Sequence, residues 1–309
     1  MKKIKILVDA RIIGGEAQGS VTYLLGLYHA LMKRFPNSYS LYFAGHHLEA
    51  MQQQFPNIPA QQFISLPTQN RLMLLTKVYP KIIAQLQPDF VHFQYICPLI
   101  KNCRSIVTTH DVLFNDFPEE FSTWFRLSRN YLFKRSLVHS DIRLTVSDYS
   151  RKAIAQHYHL PAKSIAITPN AVRKAFFEAY DKKQAQDYIR QKYKLGPYLL
   201  YASRIETRKN QHLLLQAYLD LGLAEKGLHL VFIGNDTHQN SGLDEKLQAL
   251  APLARKHCHW LKEINDTDLL TFYRAAKVFV YPSKAEGFGI PPLEAAACRI
   301  PTLLSLIHI

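Results

Sequence analysis

Cysteine is scarce in this sequence, and so are carboxylates in its first third. The four cysteines, Cys97, Cys103, Cys258 and Cys298, stand far apart. No Cys-x-x-Cys pair is present, so metal-binding spacing is missing, and a chain of 309 residues is too large to need disulfides. Reduced thiols in a cytoplasm fit best. No apolar run is long enough to cross a bilayer. Met1 to Lys5 is basic but runs straight into Ile6-Leu7-Val8 and Asp9, without the apolar region and cleavage site of a signal peptide. Internal repeats and low-complexity segments are lacking. The glycine fingerprint G-x-G-x-x-G does not follow the first strand, and no acidic residue follows at the distance that a dinucleotide ribose requires. No residue stands out as a covalent nucleophile.

Positive charge is plentiful. Lysine and arginine number 38 against 24 acidic residues, a formal net charge of +14. Up to His110 the only carboxylates are Asp9, Glu16, Glu49 and Asp89, against eleven lysines and arginines. Such a surface suits a polyanionic partner: nucleic acid, anionic lipid or a phosphorylated substrate. A generic solvated surface is the plain alternative. The length suffices for two domains, and the apolar fraction of 48% is that of an ordinary globular protein.

Strands alternate with helices along the first half, which predicts a parallel α/β sheet. Strands are expected at Ile4–Val8, Tyr39–Ala44, Phe63–Ser65, from Pro88, at Ser105–Thr109, Leu144–Ser147 and Ser164–Thr168. After the first comes the loop Gly14 to Gly19, then a helix to Arg34 that Ser20 can cap. Thr108-Thr109-His110-Asp111 ends a strand, where open parallel sheets bind ligands. His110 can donate to a sugar hydroxyl or share a proton, since its reference pKa lies near neutrality; a structural role is the alternative. Phe121 to Ser140 reads as a helix in which Trp124, Phe125, Tyr131 and Phe133 alternate with basic residues. A membrane or nucleic-acid surface could look like this; core packing explains the aromatics better. From Arg173 to Leu195 the pattern is polar and helical, and Gly196-Pro197 breaks it. Domains are therefore expected at 1–172 and 197–303, joined by a hinge at 173–196.

Two loops of the second half carry chemistry. Tyr198–Ala202 is a strand, and Ser203 to Asn210 follows it. Arg204 and Lys209, five residues apart between a strand end and a helix start, can clamp a diphosphate. Arg208 reads as a solvated neighbour. Further on, strand Val278–Tyr281 leads into Ser283-Lys-Ala-Glu-Gly-Phe-Gly-Ile-Pro-Pro-Leu-Glu-Ala-Ala-Ala297. Gly287 and Gly289 permit a tight turn and close approach of a ligand. Pro291 and Pro292 suit the first helical positions. The helix start offers N–H groups and the positive end of its dipole to an anion, while Glu286 and Glu294 suit sugar hydroxyls. The stretch reads as a sugar–phosphate site. Glu294 taken alone reads equally well as a carboxylate at a helix N-terminus.

Glu286 and Glu294, with Gly-Phe-Gly between them, resemble the E-x7-E motif of retaining GT-B glycosyltransferases of family 4. Other segments agree: Ser203-Arg204 to Lys209-Asn210 is similar to Gly-Arg-x-x-x-x-Lys-Asn, His110-Asp111 to the family's His-Asp pair, Ser147 to Lys152 to its Val-Ser-x-x-Ser-Lys segment, and Pro169-Asn170-Ala171-Val172 to its Pro-Asn-Gly-Val turn. At the first loop only the glycine and tyrosine register, Gly19 and Tyr23, survives. The resemblance spans nearly all of the chain. It implies two Rossmann-like domains with parallel sheets facing a cleft, and metal-independent transfer of a mannose-type hexose. The donor would be a nucleoside-diphosphate sugar and the acceptor a hydroxyl on a glycan or lipid-linked molecule, in cell-envelope polysaccharide synthesis. Arg204 and Lys209 would stabilise the departing diphosphate, with Gly19 near it, and Glu294 would hold the ribose. Glu286, His110 and the Phe288-Gly289-Ile290 backbone would hold the donor sugar. Attack would come from the front face, a donor phosphate oxygen assisting deprotonation. No metal or cofactor is expected.

The end of the sequence departs from the family. Leu304 to Ile309 reads as one frame of a transposase mosaic-end adapter, so these residues are expected to be non-native and the second domain incomplete. A cytoplasmic protein is expected, with peripheral contact at an anionic membrane and no nucleic-acid partner. Two rivals stand beside this reading: a nucleotide-sugar epimerase of GT-B shape, and a non-enzymatic nucleic-acid binder with strongly salt-dependent affinity.

Overall fold

The computed structural model describes residues 2–15, 19–236 and 242–305. Its strands form two sheets, one in each of two units, Met1–Ala171 and Val172–Ile309. In the first unit β1 (Ile4–Asp9), β2 (Tyr39–Gly45), β3 (Phe63–Ser65), β4 (Phe90–Gln94), β5 (Arg104–Thr108), β6 (Ile142–Thr145) and β7 (Ile165–Ile167) lie in the order β3-β2-β1-β4-β5-β6-β7. All neighbours are parallel; Val8 pairs with Phe43 on one side and His92 on the other. Such a sheet needs apolar cover on both faces. Strand β1 supplies both: Leu7 joins one apolar cluster while Ile6 and Val8 join the other, following the two-residue period of a strand.

The second unit repeats the plan. Strands β8 (Tyr198–Ala202), β9 (His229–Ile233), β10 (Cys258–Leu261), β11 (Val278–Tyr281) and β12 (Thr302–Leu304) run parallel in the order β10-β9-β8-β11-β12. Strand order reverses between β1 and β4 in one sheet and between β8 and β11 in the other. Ligands of doubly wound sheets bind beyond the carboxyl ends of strands at such reversals.

Three expectations need correction. The segment 173–196 is not a free linker: Phe176, Ile189 and Leu195 are buried in the core of the second unit. Its Lys182–Tyr193 helix is tied to the Asp266–Ala275 helix through Asp268, whose carboxylate accepts from Tyr188 and Tyr193 hydroxyls at 2.7 and 2.9 Å and Lys192 at 2.7 Å. The aromatic helix, Thr123–Val138, buries Phe133 and half-buries Phe125, but Trp124 and Tyr131 are 80% and 69% exposed. These two lie on the face opposite Phe133, so the sheet cannot reach them. The first helix begins at Gly19, which puts Ser20 inside it rather than at its cap; Glu16 to Gln18 of the preceding loop lie outside the described residues. Leu304 completes β12, and Ser305 Oγ donates to the Ser283 carbonyl at 2.7 Å. Residues 306–309 lie outside the described residues. Among the described residues no helix is long and apolar enough to cross a membrane.

Candidate active site

In the second unit the loops after β8 and β11 meet at the strand-order reversal. Asn210 makes the meeting possible. Its φ of 54° lies in the left-handed region, which asparagine tolerates better than most residues. There its amide donates to the Pro282 carbonyl at 3.0 Å, tying the two loops together. The Lys284 amide donates to the Arg208 carbonyl at 2.9 Å, a second tie.

Between these ties lies a buried ionic network. Lys209 Nζ contacts Glu286 Oε1 directly and donates to the Tyr281 hydroxyl at 2.9 Å. The same Oε1 accepts from Tyr281 at 2.8 Å and Ser283 at 2.7 Å. Arg208, expected to be solvated, is buried: one nitrogen donates to the Ala285 carbonyl and another to Glu206, each at 2.6 Å. Burial alone would raise the Glu286 pKa; Lys209 and Arg208 outweigh it and hold the carboxyl below its ordinary value. Burial also pulls the Lys209 ammonium below its ordinary value, against the attraction of Glu286. The two form an ion pair in which Oε1 takes Lys209, Tyr281 and Ser283 together.

The two cations of the expected clamp therefore differ. Lys209 is buried and committed to Glu286, whereas the Arg204 side chain is 48% exposed, with Glu206 as its carboxylate neighbour at 3.3 Å. Arg204 is the more exposed of the two cations. Gly289, at φ 84°, delivers the chain into the Ile290–Ala297 helix with Pro291 and Pro292 in its first turn and no side-chain cap. Phe288 and Ile290 flank that turn, half-buried. Glu294 follows one turn on, also half-buried. Burial pushes its pKa up to about 7, opposed by Arg173 and the Tyr273 hydroxyl. A carboxyl that ionises near neutrality suits a hydrogen-bonding partner for paired ribose hydroxyls.

The first unit carries His110 at the end of β5. Its Nε2 meets Gln94 Oε1 at 2.7 Å, which puts the proton on Nε2 and leaves Nδ1 as an acceptor. Burial, with nearby His92, pushes its pKa down to about 3. It is neutral at physiological pH and does not titrate near neutrality as its reference value suggested. The Tyr23 ring stands edge-on to it at 4.9 Å. The Tyr23 hydroxyl bonds Thr108 at 3.0 Å and Thr168 at 2.7 Å, joining the ends of β5 and β7 to the helix that Gly19 opens. Sequence reasoning missed Gln94, Tyr281, Ser283 and the Asp9–Arg11 pair at the end of β1, where Arg11 donates to Asp9 at 2.8 and 2.7 Å. Their positions at strand ends beside the reversals are the signal that could have found them. Among the described residues no three His, Cys, Asp or Glu side chains group to hold a metal ion.

The Glycosyltransferase Family 4 model matches residues 17–176, and the model described as Glycosyl transferases group 1 matches residues 182–308. O-antigen chain mannosyltransferase B of Escherichia coli is 31% identical over 206 residues, 65% of this chain and 53% of that protein. O-antigen chain mannosyltransferase RfbU of Salmonella typhimurium is 28% identical over 214 residues, 69% of this chain and 54% of its own length. The chain thus spans about half the length of the curated relatives it matches. Among solved structures, Anabaena Alr3699/HepE in complex with UDP-glucose superposes with a TM-score of 0.69 at 17% identity, over 97% of this chain and 80% of that one. WaaG, a glycosyltransferase involved in lipopolysaccharide biosynthesis, gives 0.69 at 16% identity with the same coverage. The two parallel-sheet units are those of a GT-B fold, and the chain belongs to glycosyltransferase family 4.

Proposed function

We propose that this protein is a retaining, metal-independent glycosyltransferase. It moves a hexose, mannose in the first instance, from a nucleoside-diphosphate sugar to a hydroxyl of a glycan or lipid-linked acceptor. The observation that carries the reading is the arrangement beyond β8 and β11. An exposed guanidinium at Arg204, an uncapped helix start after Gly289 and two inward carboxyls, Glu286 and Glu294, converge at one strand-order reversal. The mannosyltransferase relatives support the donor sugar, and the UDP-glucose complex of a structural neighbour supports a nucleotide-linked donor.

Each group has a task in this reading. Arg204 and the helix start neutralise charge that builds on the departing diphosphate, a contribution that grows as the bond breaks and so lowers the barrier. Glu286 accepts from donor-sugar hydroxyls, its carboxylate held rigid by Lys209, Tyr281 and Ser283. Neutral His110 offers a hydrogen bond without exchanging a proton. Glu294 accepts from the ribose. The protein works in the cytoplasm, in peripheral contact with an anionic membrane.

The test is transfer from GDP-mannose and UDP-glucose to a panel of reducing-end-labelled mannosides, with the anomeric configuration of the product read by NMR. Product of retained configuration, formed only with acceptor present, is expected. Inverted product would end the retaining assignment, and donor isomerisation without acceptor would favour an epimerase.

A further inference from the structure

Among the described residues neither sheet nor loop covers one face of the Thr123–Val138 helix. Its exposed residues are Trp124, Leu127, Tyr131, Lys134 and Val138 together with Thr123. Spacings of three and four put the first five on one stripe, about 21 Å long from Trp124 to Val138. Leu127 is 62% exposed. Leu99 and Ile100, also exposed, lie on the loop after β4. That loop is held to the same helix by the Cys97 amide, which donates to Ser136 Oγ at 3.1 Å, and by Lys101, which donates to the His139 carbonyl at 3.4 Å. The stripe and loop together make a row of indole, phenol and aliphatic groups of a kind that soluble surfaces seldom leave bare.

Its charge has one sign. The helix carries Arg126, Arg129, Lys134 and Arg135 and no carboxylate; Glu120 and Asp141, the nearest in sequence, lie beyond its two ends. Arg71 stands close enough to Arg129 for the two guanidinium charges to repel, which outweighs the weaker attraction of Asp9 for Arg71. Exposed Leu72 and Met73 follow Arg71 directly. Tryptophan and tyrosine favour the boundary between headgroups and acyl chains, aliphatic side chains favour the acyl side, and cations favour anionic headgroups. A nucleic-acid platform would need stacking rings and cations but gains nothing from Leu127, Val138, Leu99 and Ile100.

We propose that this face, built by Trp124, Leu127, Tyr131 and Val138 with Lys134 and Arg135 beside them, lies on an anionic lipid bilayer and anchors the first unit there. The proposal locates the peripheral contact included in the functional reading above. Binding is measured without any sugar donor, so its failure leaves the transfer reading untouched.

The chain has two tryptophans, Trp124 and Trp260, and Trp260→Phe leaves Trp124 as sole reporter. Vesicles of phosphatidylcholine with 30 mol% phosphatidylglycerol should shift its emission to shorter wavelength, and brominated acyl chains should quench it. Cosedimentation of the unaltered chain reads the same binding without any substitution. Trp124→Ser with Leu127→Ser should lower partitioning at least tenfold, and Lys134→Gln or Arg135→Gln about fivefold each, the loss expected per removed charge. Trp124, Leu127 and Lys134 are exposed and Arg135 is half-buried, so unchanged circular dichroism is expected. Three results would overturn the proposal: no cosedimentation, a Trp124 signal indifferent to vesicles that do bind the chain, or a shift produced by a DNA duplex and not by vesicles.

Discussion

Arg204 and Lys209 stand five positions apart yet answer different questions when replaced. Arg204 is half exposed, so Arg204→Ala should change folding stability by less than about 0.5 kcal/mol. It should nevertheless lower kcat/KM by about 1.5–3 kcal/mol of transition-state stabilisation, the worth of a charge-assisted hydrogen bond. Lys209→Ala takes the nearest cation from buried Glu286, leaving Arg208 at 3.6 Å, and should destabilise the second unit by about 3 kcal/mol. Urea unfolding of both variants beside their kinetics separates the two roles; equal stability losses would refute the division. Glu294 makes a pH prediction. A folded-state pKa of about 7 lies above the ordinary carboxyl value, and a ribose partner favours the ionised form. Nucleotide affinity should therefore rise with pH, levelling off above about 7, and the rise should vanish in Glu294→Gln. An identical pH profile in the variant would exclude Glu294 as its source. The glycines, the two glutamates and the two cations were legible from spacing alone. The pairing of Lys209 with Glu286 was not, because a sequence shows which residues reach a strand end and not which of them neutralise each other there.

At the scale of elements, Asp268 decides where the second unit begins. It receives two tyrosine hydroxyls and Lys192 from the 182–193 helix, and its own Asn265 amide at 2.8 Å. Burial raises its pKa, but these donors outweigh burial and bring it down to about 2 from 3.8. The stabilisation is present above pH 4 and is lost as pH falls toward about 2. Asp268→Ala should cost about 2–4 kcal/mol and release the 182–193 helix, seen as faster hydrogen exchange across it. Undiminished protection there would mean that apolar packing alone holds the helix. A composition-based boundary missed this tie because its partners are about 75 to 80 residues apart in sequence. Gly234 shows the same limit. At φ +138°, a Cβ added there would lie 2.1 Å from the Ser203 carbonyl oxygen, so Gly234→Ala should destabilise by about 3 kcal/mol or more and displace the loop that carries Arg204. The residue was legible as a strand end, but its contact with Ser203 belongs to β8–β9 pairing. Trp124 and Tyr131 were assigned to the core because composition alone cannot tell which side of a helix meets the sheet.

For the whole molecule, alternating strand and helix patterns made both parallel sheets readable, since buried parallel strands are written as apolar runs. The order β3-β2-β1-β4-β5-β6-β7 gives the first unit a sheet and apolar clusters of its own. A fragment of residues 1–171 should accordingly unfold in one cooperative transition by circular dichroism; a gradual, non-cooperative melt would show that its core depends on the second unit. The central claim is that a nucleoside diphosphate is held where the loops after β8 and β11 meet. Isothermal titration of UDP and GDP into the unaltered chain and Arg204→Ala tests it most directly. The account predicts one nucleotide bound per chain, with affinity about 10- to 150-fold weaker in the variant. Equal affinity in the two proteins, or no binding of either nucleotide, would contradict it.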